Sequence, residues 1–142
     1  MGVQRSCDTG AVTDTLASLA IVIVDDDDAA RALLKRLLAA WGARVTEFAS
    51  AEEGLAYLRL HGADLLITDL ELGKMDGADL VAALQRSDVA IPIVMVSGSG
   101  AVACRDRLAA VAAPPILAVI DKPIRLASLR DIIEALQRPS QA

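Results

Sequence analysis

Apolar residues come along this chain in short, nearly continuous runs, separated by stretches in which they recur every three or four positions. Leu19–Val24, Ile91–Val96 and Ile116–Ile120 are runs of the first kind, and Asp64–Thr68 is a shorter one. Runs that do not alternate fit parallel strands buried on both faces. Arg44–Phe48 is short and partly polar, as an edge strand can be. The intervening stretches read as helices. Leu33, Leu34, Leu37, Leu38 and Trp41 form the inward stripe of a helix from about Ala29 to Trp41, stopped by Gly42. Ser50-Ala51-Glu52-Glu53 is a capping box that opens a helix to about Leu60, ended by His61-Gly62. Asp76-Gly77 turns into a third helix through about Gln85, with Leu80, Val81 and Leu84 inward. An Ala-rich helix spans about Val102 to Ala112 and cannot continue through Pro114-Pro115. Leu126, Leu129, Ile132, Ile133 and Leu136 mark a last amphipathic helix.

Strand and helix therefore alternate five times, with connections long enough for parallel right-handed crossovers. The expected fold is α/β: a flavodoxin-like, doubly wound, five-stranded parallel sheet of order 2-1-3-4-5 with helices on both faces. Residues 1–18 are polar and aperiodic and read as a flexible N-terminal tail, 19–138 as one domain, and 139–142 as a C-terminal tail or the start of a linker.

Composition narrows the function. The 142 residues carry a net charge of −5, which argues against a nucleic-acid surface. The apolar fraction is 54%, yet no run approaches the roughly 20 residues that cross a bilayer, so no membrane partner is expected. Cys7 and Cys104 make no disulfide framework, and reduced thiols in the cytoplasm are the default. The start Met1-Gly2-Val3-Gln4-Arg5-Ser6 fits an acylation pattern that six residues match easily by chance, and a plain leader is preferred.

The chemistry gathers where the strands end. Ile21–Val24 runs into Asp25-Asp26, Ile67-Thr68 into Asp69, Ile93–Val96 into Ser97-Gly98, and Ile116–Ile120 into Asp121-Lys122-Pro123. In open α/β sheets, ligands bind outside the carboxyl ends of the strands. Order 2-1-3 makes the first and third strands neighbours, so Asp25, Asp26 and Asp69 converge. Two carboxylates about 5 Å apart repel by roughly 3 kcal/mol at an effective dielectric near 20, so such a cluster calls for a proton or a cation. Hard oxygen ligands with room for water suit Mg²⁺. A carboxylate beside that ion can attack phosphorus to give an acyl phosphate, with Lys122 and the Ser97 hydroxyl placed to neutralise the transferring group.

Four segments together carry a family resemblance: IVIVDDDDAAR (Ile21–Arg31), LLITDLELGKMDG (Leu65–Gly77), IPIVMVSGSG (Ile91–Gly100) and IDKPI (Ile120–Ile124). In order and spacing the chain resembles the receiver domains of two-component response regulators. The resemblance implies that Asp69 is the phosphoacceptor, that Asp25 and Asp26 are the metal-binding acid pair, and that Glu71 stands where a backbone carbonyl is a further metal ligand. It implies that Ser97 binds the phosphoryl group, that Lys122 pairs with it, and that the Lys122–Pro123 bond is cis. It also implies a sensor histidine kinase or phosphotransfer protein as donor, a downstream output protein or domain as recipient, and, for some members, a homodimer. Three positions depart from the family's pattern. Gly73 replaces a usual proline, Val119 stands where a switch aromatic is usual, and Ile124 replaces a common Phe.

Plainer roles are expected elsewhere. Asp27 and Asp28 read as helix-start acids, Asp76 as a cap, and His61 and Cys104 as residues without a chemical role. Ser97-Gly98-Ser99-Gly100 lacks the Gly-Lys-Ser/Thr ending of a phosphate loop. Two other functions use similar parts. A Mg²⁺-dependent phosphohydrolase of the haloacid-dehalogenase type would carry its nucleophilic Asp on the first strand and its acid pair late, the reverse of the order here. A pseudo-receiver that binds but is never phosphorylated would be suggested by loss of the acid pair or the lysine, and neither is lost.

Overall fold

The computed structural model describes residues 19–98, 106–108 and 116–137. Its elements in chain order are β1 (Ala20–Val24), α1 (Asp28–Ala40), β2 (Arg44–Phe48), α2 (Ala51–His61), β3 (Leu65–Asp69), α3 (Gly77–Arg86), β4 (Ile93–Ser97), β5 (Ile116–Asp121) and α4 (Leu126–Gln137). The strands form one five-stranded sheet of order β2-β1-β3-β4-β5, and every pairing is parallel. The expected order is borne out. Of the Ala-rich helix expected over Val102–Ala112, only residues 106–108 are described, and they are helical. The tails and the Pro114-Pro115 break lie outside the described residues.

Period-two alternation divides the sheet's side chains between two cores. Val22, Val24, Leu66 and Met95 face α2 and α3, meeting Leu55, Leu58, Leu80, Val81 and Leu84. Ile21, Ile23, Leu65, Ile67, Val94 and Val96 face the other way and meet Leu34 and Leu38 of α1 and Leu129 and Ile133 of α4. Both faces are covered, which is why every strand except the partly polar edge strand β2 reads as a nearly continuous apolar run.

Two helical stripes differ from the sequence expectation. Leu34 and Leu38 of α1 are buried, but Leu33 is 68% exposed. Leu126 at the start of α4 is 52% exposed. The strand ends also run one residue further than the pattern indicates: Asp69 closes β3, Ser97 closes β4 and Asp121 closes β5. The polar residues at the strand ends are thus fixed by the sheet's own hydrogen bonds rather than carried on loops.

Candidate functional site

Register explains how the acids meet. Val24 of β1 pairs with Thr68 of β3, so the next residues, Asp25 and Asp69, leave neighbouring strands side by side. Both are buried, Asp25 at 8% and Asp69 at 3% exposure, while Asp26 stands exposed beside them. One carboxylate oxygen from each of the three lies within 4.8 Å of the other two. The start of α1 steadies the group. Asp25 Oδ1 accepts from the Asp27 amide at 2.9 Å, and the Asp25 carbonyl accepts from Arg31 Nη1 at 2.7 Å. Asp27 is the N-cap of α1, accepting from the Ala29 and Ala30 amides, and Asp28 lies in the first turn and pairs with Arg31. These are the helix-start roles expected of them.

Lys122 arrives from β5. Its amide donates to the Ser97 carbonyl at 3.0 Å, and its Nζ donates to Asp69 Oδ2 at 2.6 Å. The Lys122–Pro123 peptide is cis. Burial pushes the Asp69 carboxyl above the usual carboxylate range, outweighing the lowering by Lys122, and the Asp25 charge adds to the rise. Burial acts to lower the Lys122 ammonium, but its bond to Asp69 and the facing charges of Asp69, Asp25 and Glu71 raise it on balance. Lys122 is therefore held charged against a carboxylate that has lost most of its water.

Ser97 joins this group through Glu71. The Glu71 amide donates to Asp69 Oδ1 at 3.3 Å. Its carboxylate forks across the end of β4, with Oε2 accepting from Ser97 Oγ at 3.0 Å and Oε1 accepting from the Gly98 amide at 3.1 Å. Ser97 is fully buried. The resemblance points only to the backbone of Glu71, so this side-chain role was not read from the sequence. A carboxylate two residues beyond Asp69 was its only signal.

The other residue sequence reasoning passed over is Gly77. A Cβ there would lie 2.6 Å from the Asp69 carbonyl oxygen, 2.8 Å from Met95 Sδ and 3.0 Å from Leu70 Cα. Its amide donates to the Leu70 carbonyl at 2.9 Å. Glycine here lets α3 begin directly against the backbone of Asp69 and Leu70. Asp76 caps α3 in a full capping box with Asp79 and also pairs with Arg107, the capping role expected for it.

The structure thus brings Asp25, Asp26, Asp69 and Lys122 into one group and ties Ser97 to it through Glu71. Val119 is partly buried against the core, and a Cβ at Gly73 would meet nothing within 4 Å. His61 stacks on Tyr57 with ring centroids 4.4 Å apart. Cys104, Ser99 and Gly100 lie outside the described residues. Three carboxylates of which one is open to water match the donor chemistry of a hard cation such as Mg²⁺.

The chain matches the response regulator receiver domain family over residues 21–134 and belongs to that family. It is 35% identical over 77 residues to the transcriptional regulatory protein AfsQ1 of Streptomyces coelicolor, an alignment covering 54% of this chain and 34% of AfsQ1. The chain thus corresponds to about a third of that relative's length. Among solved structures, FixJ-N superposes with a TM-score of 0.74 at 25% identity, covering 89% of this chain and all of the other. The receiver domain of the sensor histidine kinase PA1611 from Pseudomonas aeruginosa PAO1, whose active-site cleft holds a coordinated magnesium ion, superposes with a TM-score of 0.75. At 19% identity, over 84% of this chain and 98% of the other, that likeness speaks for the fold alone. Among the described residues, no helix is long and apolar enough to cross a membrane.

Proposed function

We propose that this receiver domain accepts a phosphoryl group on Asp69 from the phosphohistidine of a sensor histidine kinase or phosphotransfer protein, and relays the change to an output partner. The observation that carries the reading is Asp69 itself, buried at the end of β3 with Lys122 Nζ 2.6 Å away and the Asp25 and Asp26 carboxylates beside it. An Asp69 oxygen attacks phosphorus, the P–N bond to the donor imidazole breaks, and the imidazole leaves with the electron pair. Asp25, Asp26 and Asp69, with the Glu71 carbonyl, would hold Mg²⁺, whose charge offsets that of the transferring group. Lys122 and Ser97 supply an ammonium and a hydroxyl for the phosphoryl oxygens. The same parts suit uptake from small acyl phosphates and later hydrolysis, and the cytoplasm is the compartment proposed for this exchange.

Incubation with a small acyl phosphate, followed by intact-mass measurement, tests this. One phosphoryl group should be gained with Mg²⁺ present and none after chelation. Asp69→Asn should gain none; equal labelling of that variant would overturn the assignment.

A further inference from the structure

The Glu71 carboxylate occupies a position that the proposed reaction leaves unexplained. A phosphoryl group on Asp69 has to spread its oxygens in the crevice beyond β3 and β4. Asp69 pairs with Val96, so Ser97 Oγ and the Gly98 amide are the donors that follow on the neighbouring strand. In this structure both are already given to an anion: Ser97 Oγ reaches Glu71 Oε2 at 3.0 Å, and the Gly98 amide reaches Glu71 Oε1 at 3.1 Å. The carboxylate is anchored close to the acceptor, since the Glu71 amide donates to Asp69 Oδ1. Its charge also faces the Lys122 ammonium. Two oxygens of a planar anion, one on a hydroxyl and one on an amide, copy what two oxygens of a phosphoryl group would accept.

We infer that Glu71 is a built-in competitor for the phosphoryl-binding donors, and so a residue that sets how readily Asp69 is phosphorylated. The inference rests on the phosphoacceptor reading above. In the resting state the Glu71 carboxylate satisfies Ser97 and Gly98 and holds the start of the β4 loop. As the donor's bond to phosphorus breaks and the Asp69 oxygen–phosphorus bond forms, Ser97 Oγ and the Gly98 amide exchange one anion for another. Glu71 then swings to solvent, which its exposed position allows. Two charge-assisted hydrogen bonds are lost for two gained, so the net gain from those donors is small while Glu71 is present. The displaced carboxylate also stays near a group of the same sign, which shortens the lifetime of the product. Donor preference follows as well. A small donor must displace Glu71 unaided, whereas a protein donor can open the site with binding energy from its own interface.

The test compares the parent with Glu71→Gln, which keeps the shape and removes the charge, and Glu71→Ala, which removes both acceptors. With Mg²⁺ and phosphoramidate, both variants should label faster than the parent, by about tenfold for Ala and less for Gln, the range of one hydrogen bond to a charged acceptor. Beryllofluoride, which forms an acyl-phosphate-like adduct with no turnover, should half-saturate the variants at correspondingly lower concentration. The Gly98 amide resonance of the variants should differ from the parent's before the adduct forms and approach the parent's once it has formed. Labelling and beryllofluoride affinity unchanged or weakened in both variants would overturn the inference, because Glu71 would then be a bystander or a helper. Parent labelling at Asp69 in the same samples reports separately on the phosphoacceptor reading, so the two cannot fail unnoticed together.

Discussion

At the scale of single residues, the site is a set of charges held in place by backbone. Asp25, Asp26 and Asp69 bring carboxylate oxygens within 4.8 Å of one another, and among the described residues Lys122 is the ammonium bonded directly to that group. Without metal, removing one acid should relieve repulsion. Asp26→Ala is expected to lose Mg²⁺ affinity in a calorimetric titration and, with chelator present, to unfold at a slightly higher urea concentration than the parent. A lower midpoint in chelator would contradict a strained acid cluster. Gly77 sets the other limit. Its missing side chain lets α3 start 2.6 Å from the Asp69 carbonyl oxygen, measured from where a Cβ would sit. Because the obstacle is backbone, Gly77→Ala should cost about 1–3 kcal/mol in urea unfolding and slow the labelling of Asp69. A neutral Gly77→Ala would mean that the β3–α3 connection can give.

At the scale of elements, what could be read from the sequence and what could not have distinct causes. The strands were legible because burial on both faces leaves continuous apolar runs, whose breaks fall within one residue of the strand ends at Asp69, Ser97 and Asp121. The cap at Asp76 and the helix-start place of Asp27 were legible because both are local, whereas which acid caps α1 was not read. The rotation of α1 was not. Leu33-Leu34 and Leu37-Leu38 are adjacent pairs, and the pattern cannot say which member of each turns inward; the structure buries Leu34 and Leu38 and leaves Leu33 68% exposed. The grip of Glu71 on Ser97 joins residues 26 apart in sequence, and no local pattern encodes such a contact.

The same helix supplies a prediction about pH. Arg31 and Lys35 of α1 both pair with Glu47 of β2, each at 2.9 Å. The bond to Lys35, assisted by Arg31 and opposed by burial, holds the Glu47 carboxyl below its usual range. A depressed carboxyl stabilises the fold above its ordinary pKa, and that contribution is lost as pH falls through the folded-state value. Glu47→Gln should therefore cost about 0.5–1 kcal/mol at neutral pH. The gap to the parent should close in acid. A gap that widens in acid would contradict the sign.

At the scale of the whole molecule, the sheet separates the Asp25, Asp26 and Asp69 cluster from the far ends of the helices that cover it. Trp41 caps the C-terminal end of α1, and the Arg130 guanidinium of α4 lies 4.9 Å from its ring centroid. Thirteen residues of α1 put that end about 20 Å from the acid pair at 1.5 Å per residue. Trp41 emission should thus be nearly unchanged by Mg²⁺ yet altered by Arg130→Ala; strong quenching by Mg²⁺ would contradict this placement. The strand order that creates the crevice was legible because parallel crossovers leave few alternatives. The place of Val119 was not, because its partial burial against the core is long-range packing.

The atom that receives the phosphoryl group is the most direct test of the site. After labelling with a small acyl phosphate and Mg²⁺, borohydride reduces an aspartyl phosphate to homoserine, and peptide mass spectrometry locates the change. The conversion is expected at Asp69 alone, with Asp25 and Asp26 intact. Conversion at either of those residues, or none in a sample whose intact mass shows the added phosphoryl group, would contradict it.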